Sequence, residues 1–281
     1  MADILITGAT RGIGRATALM LARHGHRVIG AGRTAEDLET LGRESSNLYG
    51  LRMDVSDPAS VQDAVGRVME ITDGRGLDVV INNAGYAQVG PVELISEDEW
   101  LAQYQTNVFG MVRVTRAFLP SIRANKGRII NVSSVAGRLV LPFFGPYNST
   151  KHAVEAISDA LRQELRAHGV EVVLIEPGPV KTGFGELERE GLVKYAATDS
   201  AYRKQLEQVA RFHEGLHDGG ADPQRVAATV VKALEARRPR ARYVTPWLKN
   251  RIFLVIAEWS PTWVADGVVR IMSGLGRVGP G

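Results

Sequence analysis

Short β-branched runs that alternate with longer stretches of helical period predict a doubly wound α/β fold, with a parallel sheet covered by helices on both faces. A glycine-rich turn directly after the first apolar run supports the same architecture, since such turns join a strand to a helix at the carboxyl edge of an open sheet. The length of 281 residues, 44% hydrophobic and 23% charged, suits one large domain, and no linker, repeat or low-complexity tract divides it.

Ile4 to Thr7 reads as the first strand and Arg15 to His24 as a helix, with Ala16, Leu19, Met20 and Arg23 at helical spacing. Arg27 to Ala31 follows as a strand, Ala35 to Gly42 as a helix and Tyr49 to Met53 as a strand. Asp57-Pro58 opens a helix that runs to about Met69, with a capping carboxylate ahead of a first-turn proline. Leu77 to Ile81 and Arg128 to Val132 are strands of the buried type, separated by a long helix from Glu97 to Leu119. Pro146 to His168 holds another helix and Val170 to Ile175 another strand. Residues 184–221 are polar, helical in parts and free of strands, which predicts a substrate lid with Gly183, Gly185, Gly191, Gly215, Gly219 and Gly220 as candidate hinges. Asp222-Pro223 starts a helix to about Arg237, and Arg242 to Thr245 forms a last strand. The expected organisation is therefore a main domain over 1–245 and a helical extension over 246–281.

Composition excludes several classes. The absence of cysteine removes disulfides, thiolate metal sites and thiol nucleophiles together, and no metal site is expected. A net charge of +3, from 34 basic and 31 acidic residues, is too balanced for a nucleic-acid binder. No apolar run reaches the length of a membrane span, and the first strand begins almost at Met1, so a cytoplasmic location is expected.

The turn Thr7-Gly8-Ala9-Thr10-Arg11-Gly12-Ile13-Gly14 is the first constellation with chemical content. Glycines let the backbone turn tightly and approach a pyrophosphate, which then sits at the positive end of the next helix. Steric need alone also places glycines in such turns, but after strand one of a βαβ unit the dinucleotide reading is the stronger. At the end of the second strand an NAD site would carry a carboxylate for the ribose hydroxyls; this chain has Gly32-Arg33. Together with Arg11, an arginine there suits a 2′-phosphate, so NADP is the expected cofactor.

Ser134, Tyr147 and Lys151 form the second constellation. Tyrosine and lysine four residues apart share one helix face. A free phenol, with a pKa of about 10, is a poor base at neutral pH, and a nearby ammonium favours phenolate. Ser134 lies thirteen residues upstream, at the end of a predicted strand on the same side of the sheet as the glycine turn.

In these residues the chain resembles the short-chain dehydrogenase/reductase family, over roughly residues 3 to 245. The resemblance implies a Rossmann-type fold and hydride transfer between a nicotinamide and a carbonyl or secondary alcohol. It implies cofactor contacts from Gly8, Arg11, Gly12, Ile13 and Gly14, from Arg33, and from Asp54 and Val55 at the adenine. Asn83, Ala84 and Gly85, in the run after strand four, would follow, and then Pro177, Gly178, Val180 and Thr182 around the nicotinamide carboxamide. Tyr147 would exchange the hydroxyl proton, Lys151 would lower its pKa and bind the ribose, and Ser134 would polarise the carbonyl. Asn107 would position a water leading to solvent.

Leu139, Leu141, Pro142, Phe143 and Phe144, between Ser134 and Tyr147, predict an apolar wall for a lipophilic substrate of steroid-, retinoid- or polyketide-like kind. The rival readings are a binding protein that senses NADP(H) without turnover and a membrane-surface scaffold. The extension carries Trp247, Trp259 and Trp263 with an apolar stripe broken at Pro261, expected to be buried against protein, with contact to a membrane surface as the alternative. The family's habit implies a homodimer or homotetramer.

Overall fold

Alternation within each strand decides which face receives each side chain. In β1 (Asp3–Thr7), Ile4 and Ile6 join one apolar cluster while Leu5 joins the other. The same division separates Val28 from Ile29 in β2 (Arg27–Gly32), Val79 and Ile81 from Val80 in β4 (Val79–Asn82), and Ile130 from Ile129 in β5 (Arg128–Val132). A strand buried on both sides must be apolar throughout, which is why these runs look continuous in sequence. With β3 (Leu48–Arg52), β6 (Glu171–Pro177) and β7 (Arg242–Thr245) they form a seven-stranded sheet in the order β3-β2-β1-β4-β5-β6-β7. Every pairing is parallel. The computed structural model describes residues 1–198, 201–246, 254, 259–273 and 275.

Helices α1 (Gly12–Arg23), α2 (Ala35–Arg43) and α9 (Pro223–Glu235) contribute Leu19, Leu41 and Val230 to one cluster. The other cluster takes Val61 and Val68 from α3 (Pro58–Ile71) and Val114 and Phe118 from α5 (Met111–Ala124). Asp57 accepts from the Ala59 N–H at 2.9 Å ahead of Pro58, as the sequence predicts for that start.

Most ends shift by one to three residues, and three regions add detail to the expectation. Strand four starts at Val79, because the Leu77 N–H is held by the Ser121 hydroxyl at 3.2 Å and so lies outside the ladder. The long helix is composite: α4 (Glu97–Tyr104), a π-helical segment (Gln105–Gly110) and α5. It continues past Pro120 to Ala124, where fully buried Ile122 and the Ser121 bond anchor the last turn. The 184–221 region folds into two helices, α7 (Phe184–Ala196) and α8 (Arg203–Asp218). Their buried Leu192, Tyr195, Leu206 and Val209 show that this polar segment has a packed apolar face.

In the extension, Pro261 precedes α10 (Thr262–Met272), so the helical break falls where the sequence places it. Leu254 is buried against Leu139 and Val244, and Leu275 packs beside the cluster that contains Tyr147. Trp259, Trp263 and Ile271 are 85%, 77% and 74% exposed, so among the described residues nothing covers these parts of the stripe. Trp247, Ile252, Val255 and Ile256 lie outside the described residues. Among the described residues no helix is long and apolar enough to cross a membrane.

A polar chain crosses the middle of the sheet. Asn82 donates to the Asn131 side-chain oxygen at 2.8 Å and to the Thr115 hydroxyl at 3.0 Å, and Asn131 donates to Ser158 on α6 (Gly145–Glu164) at 2.8 Å. Asn131 is fully buried, so Asn131→Ala strands two partners away from water. We expect a loss of about 2–4 kcal/mol in urea unfolding; a change within experimental error would show that the chain carries no stabilising role.

Candidate active site

The sheet order reverses between β1 and β4, and two turns are tied together across that point. The Thr7 hydroxyl accepts from the N–H groups of Asn83 at 3.0 Å and Ala84 at 2.9 Å. The Asn83 amide returns bonds to the carbonyls of Thr7 at 2.9 Å and Gly8 at 3.1 Å. The approach is close enough to require glycine: a Cβ on Gly14 would sit 2.2 Å from the Gly8 carbonyl oxygen and 2.5 Å from the Asn83 amide nitrogen. Gly8 and Gly12 have φ of 64° and 55°, and a Cβ on Gly12 would meet Thr182 at 3.3 Å. The glycine turn, the Asn83-Ala84-Gly85 turn and the segment after β6 thus converge at one crevice.

This crevice fits a dinucleotide. Arg11 caps α1 without a side-chain hydrogen bond, and no acidic residue lies in that first turn, so the helix presents a positive end beside a backbone bare of side chains. Ile13 packs on the core behind the turn. Arg11 is exposed and lies 3.6 Å from Asp37, a partner the sequence reading did not anticipate. Arg33 is exposed at the end of β2 and acts electrostatically on Asp54 and Tyr86. Burial works to raise the Asp54 pKa, but bonds from the Ser56 hydroxyl and N–H, with the Arg33 charge, bring it below the ordinary carboxylate value. Val55 is buried against Gly110. On the far side the Gly178 N–H bonds the Thr245 carbonyl at 2.9 Å, Pro177 pairs with Thr245, and Val180 is buried and bridges to Ala221.

Tyr147 and Lys151 lie on α6 and Ser134 follows β5. The Ser134 hydroxyl donates to the Pro177 carbonyl at 3.3 Å and accepts from the Ala136 N–H at 3.1 Å. Lys151 is buried; its ammonium donates to the Val132 carbonyl at 2.9 Å and stands 5.7 Å from the Tyr147 ring centre. Burial lowers the Lys151 pKa to about 8, with the Glu155 carboxylate opposing. The Tyr147 hydroxyl is pushed up, first by burial and then by the Glu188 carboxylate, while the Ser134 hydroxyl draws it the other way. The depressed phenol expected from Lys151 is therefore not a property of the chain by itself.

Asn107 lies in the π-helical segment with its side chain engaged. Its oxygen accepts from the Tyr86 N–H at 3.1 Å, and its nitrogen donates to the Tyr86 carbonyl at 2.9 Å and to Thr150 at 3.2 Å. Any water it positions must therefore be met chiefly through its backbone. A cavity of about 10 Å³ lined by Asn107, Lys151, Thr7 and Asn82 has room for one water.

Sequence reading missed a buried charged network behind Lys151. Glu155, one turn beyond Lys151, accepts from Arg242 at 3.1 Å; Arg242 also meets Glu176 at 3.3 Å and Asp159 at 2.6 Å. Arg138 pairs with Glu176 at 3.0 Å. The repeat of four through Tyr147, Lys151 and Glu155 was a usable signal that all three share a face. It also missed Glu188 and His213, which nothing in their polar segments marks.

The apolar wall is present in part. Phe144, Leu141 and Phe143 join Tyr147, Phe184, Leu192 and Tyr195 in one cluster, whereas Leu139 packs elsewhere, on Val244 and Leu254. Gly191, a proposed hinge, sits where a Cβ would come within 2.5 Å of Val89, so close packing already accounts for that glycine.

A nucleotide crevice at the switch point, with a serine, tyrosine and lysine at the same sheet edge, defines a dinucleotide-dependent oxidoreductase architecture. The model of the short chain dehydrogenase family matches residues 2–192, and the chain belongs to that family. It is 38% identical to an NADPH-dependent 3-dehydrocapnine reductase of Ornithobacterium rhinotracheale, over 85% of this chain and 86% of that protein. It is 33% identical to a 3-ketodihydrosphingosine reductase of Bacteroides thetaiotaomicron, over 95% and 96%. Among solved structures, a short-chain dehydrogenase from Streptomyces avermitilis superposes with a TM-score of 0.80 at 27% identity, covering 99% of both chains. Solved structures of similar fold include complexes with NADP+ and with NAD.

Burial, then repulsion from Glu176, pushes the Glu155 pKa from its ordinary 4.5 to about 7, against Ser133 and Arg242. A group that binds its proton more tightly when folded contributes stability that is complete below its unfolded pKa and lost as pH rises through the folded one. Wild-type stability should therefore fall between 4.5 and about 7 through this group. Glu155→Gln should flatten that fall, so its Tm relative to wild type rises with pH across the window. Parallel Tm curves would show that Glu155 is ionised throughout.

Proposed function

We propose that this protein is an NADP(H)-dependent carbonyl reductase and alcohol dehydrogenase acting on a lipophilic substrate. The observation that carries the reading is the buried Tyr147 hydroxyl beside Ser134 and Lys151, between the glycine crevice and an apolar aromatic cluster. When bound, the dinucleotide supplies or accepts the hydride at its nicotinamide.

Gly8, Gly12, Ile13 and Gly14 would hold the pyrophosphate, Asp54 and Val55 the adenine, and Asn83, Ala84 and Gly85 the floor of the crevice. Pro177, Gly178, Val180 and Thr182 would flank the nicotinamide. Arg11 and Arg33 would bind a 2′-phosphate, Arg11 in exchange for its contact with Asp37, and the end of β2 itself carries no carboxylate. The NADPH named for the relative above agrees with this.

During reduction Tyr147 donates its proton to the carbonyl oxygen while Ser134 hydrogen-bonds that oxygen. Lys151, with a pKa brought to about 8 by burial, would hold the ribose and share a proton with a water at the Asn107 backbone. Dry surroundings strengthen each of these contacts. Helices α7 and α8 serve as the lid over this site, within a catalytic unit of residues 1–245 followed by the extension. The protein is expected in the cytoplasm as a homodimer or homotetramer; Leu101 and Phe109, 51% and 45% exposed, suit a subunit contact.

NADPH oxidation with a panel of long-chain ketones tests the activity, and Arg33→Ala tests the cofactor. The substitution should raise KM for NADPH by about tenfold or more while leaving KM for NADH nearly unchanged. Equal effects on both cofactors, or no turnover of any ketone, would overturn the corresponding part of the reading.

A further inference from the structure

One of the two arginines at the end of the crevice already faces a carboxylate. Arg11 lies 3.6 Å from Asp37, with side chains 84% and 40% exposed. Packing beneath the pair brings it together. Gly30 and Gly32, two apart on β2, share one face of the strand. A Cβ on Gly32 would come within 2.7 Å of Thr10 and 3.3 Å of Leu38. One on Gly30 would come within 3.1 Å of Ala9 and 2.6 Å of Leu41. The glycine turn and α2 therefore rest side by side on the same bare strip of backbone. Leu38 and Leu41 are buried there, which fixes the first turn of α2, and Asp37 with it, beside Arg11.

The helix alone does not account for Asp37. An acid in the first turn meets the positive end of the macrodipole, but Glu36 supplies that charge in the same turn. What Asp37 adds is its contact with Arg11. A phosphate that engages Arg11 must either displace this carboxylate or sit beside it, and like charges repel. A ribose 2′-hydroxyl carries no charge and can leave the pair intact. The Arg11–Asp37 pair thus opposes one dinucleotide and not the other.

From this geometry we propose that Asp37 is a specificity-determining residue that competes with the 2′-phosphate for Arg11 and so narrows the preference for NADP(H) over NAD(H). This rests on the NADP reading of Arg11 and Arg33 and deepens it. Exposed ion pairs are weak, so the competition moderates the preference without abolishing it. NADH is then left as a usable cofactor.

Dissociation constants for NADPH and NADH, from nicotinamide fluorescence titrations of the full-length protein at low salt, test this without any substrate. Asp37→Asn should tighten NADPH binding by about threefold or more while NADH stays within about twofold. The gain should shrink at about 0.5 M salt, because both partners are exposed to screening. Glu36→Gln removes an equal charge from the same helix end and should leave the ratio of the two constants unchanged. In an Arg11→Gln background the gain from Asp37→Asn should be smaller, since the contested arginine is gone. Equal gains on both cofactors, a ratio that moves as far in Glu36→Gln, a ratio changed only by weaker NADH binding, or an undiminished gain in the Arg11→Gln background would overturn the proposal. Wild-type preference for NADPH with no gain in Asp37→Asn would also overturn it, while leaving the NADP reading standing. Equal wild-type affinities, with a preference for NADPH appearing in Asp37→Asn, would do the reverse.

Discussion

The site depends first on the clasp between Thr7 and Asn83. A doubly wound sheet opens a crevice wherever its strand order reverses, but the crevice has a defined shape only if the two turns that border it are held together. Here the Thr7 hydroxyl takes two backbone N–H groups from the opposite turn, and the Asn83 amide answers with two bonds to the first. That exchange satisfies backbone groups that two adjacent loops would otherwise leave bare, and it brings them so near that position 14 tolerates no side chain. The surface left free for a phosphate is then almost wholly backbone.

Behind this surface, polarity is arranged by depth. The Asn82–Asn131–Ser158 chain fixes β4, β5 and α6 relative to one another, and therefore fixes Ser134 relative to Tyr147. Lys151 reaches from α6 to the Val132 carbonyl, tying the same helix to the same strand one layer nearer the site. Further back, Glu155, Glu176, Arg138 and Arg242 hold charge in a region shielded from solvent, which is tolerable only because the opposite charges are paired. The result is a lysine whose ammonium is destabilised by burial and restored in part by a neighbouring carboxylate, leaving it near the middle of its titration at mildly alkaline pH.

Much of this was legible in sequence, and the reasons are local. Parallel strands buried on both faces must be apolar runs, so β1, β5 and β7 are readable within a residue of their ends. Glycine positions were readable because backbone approach permits nothing else at Gly14. Tyr147 and Lys151 were readable because a helix puts residues four apart on one face, and the same rule would have yielded Glu155. What escaped depends on contacts distant along the chain. The α8 residue His213 meets Phe144 only after α7 and α8 fold over the sheet edge, and no pattern in a polar segment announces that Glu188 will be buried. The surroundings of the Tyr147 hydroxyl were legible only in part for a related reason: the helix neighbour was visible in the sequence, the desolvation and the carboxylate on α7 were not.

On the proposed mechanism the Tyr147 hydroxyl, and nothing else at this edge of the sheet, exchanges the substrate proton. Tyr147→Phe removes that one oxygen while leaving the ring that packs on Phe184. The measurement is NADPH oxidation with an accepted ketone, made alongside NADPH binding followed by nicotinamide fluorescence on the same protein. Binding should stay within about twofold of wild type while turnover falls by about 10³-fold or more. Binding that is retained together with turnover near the wild-type rate would contradict it.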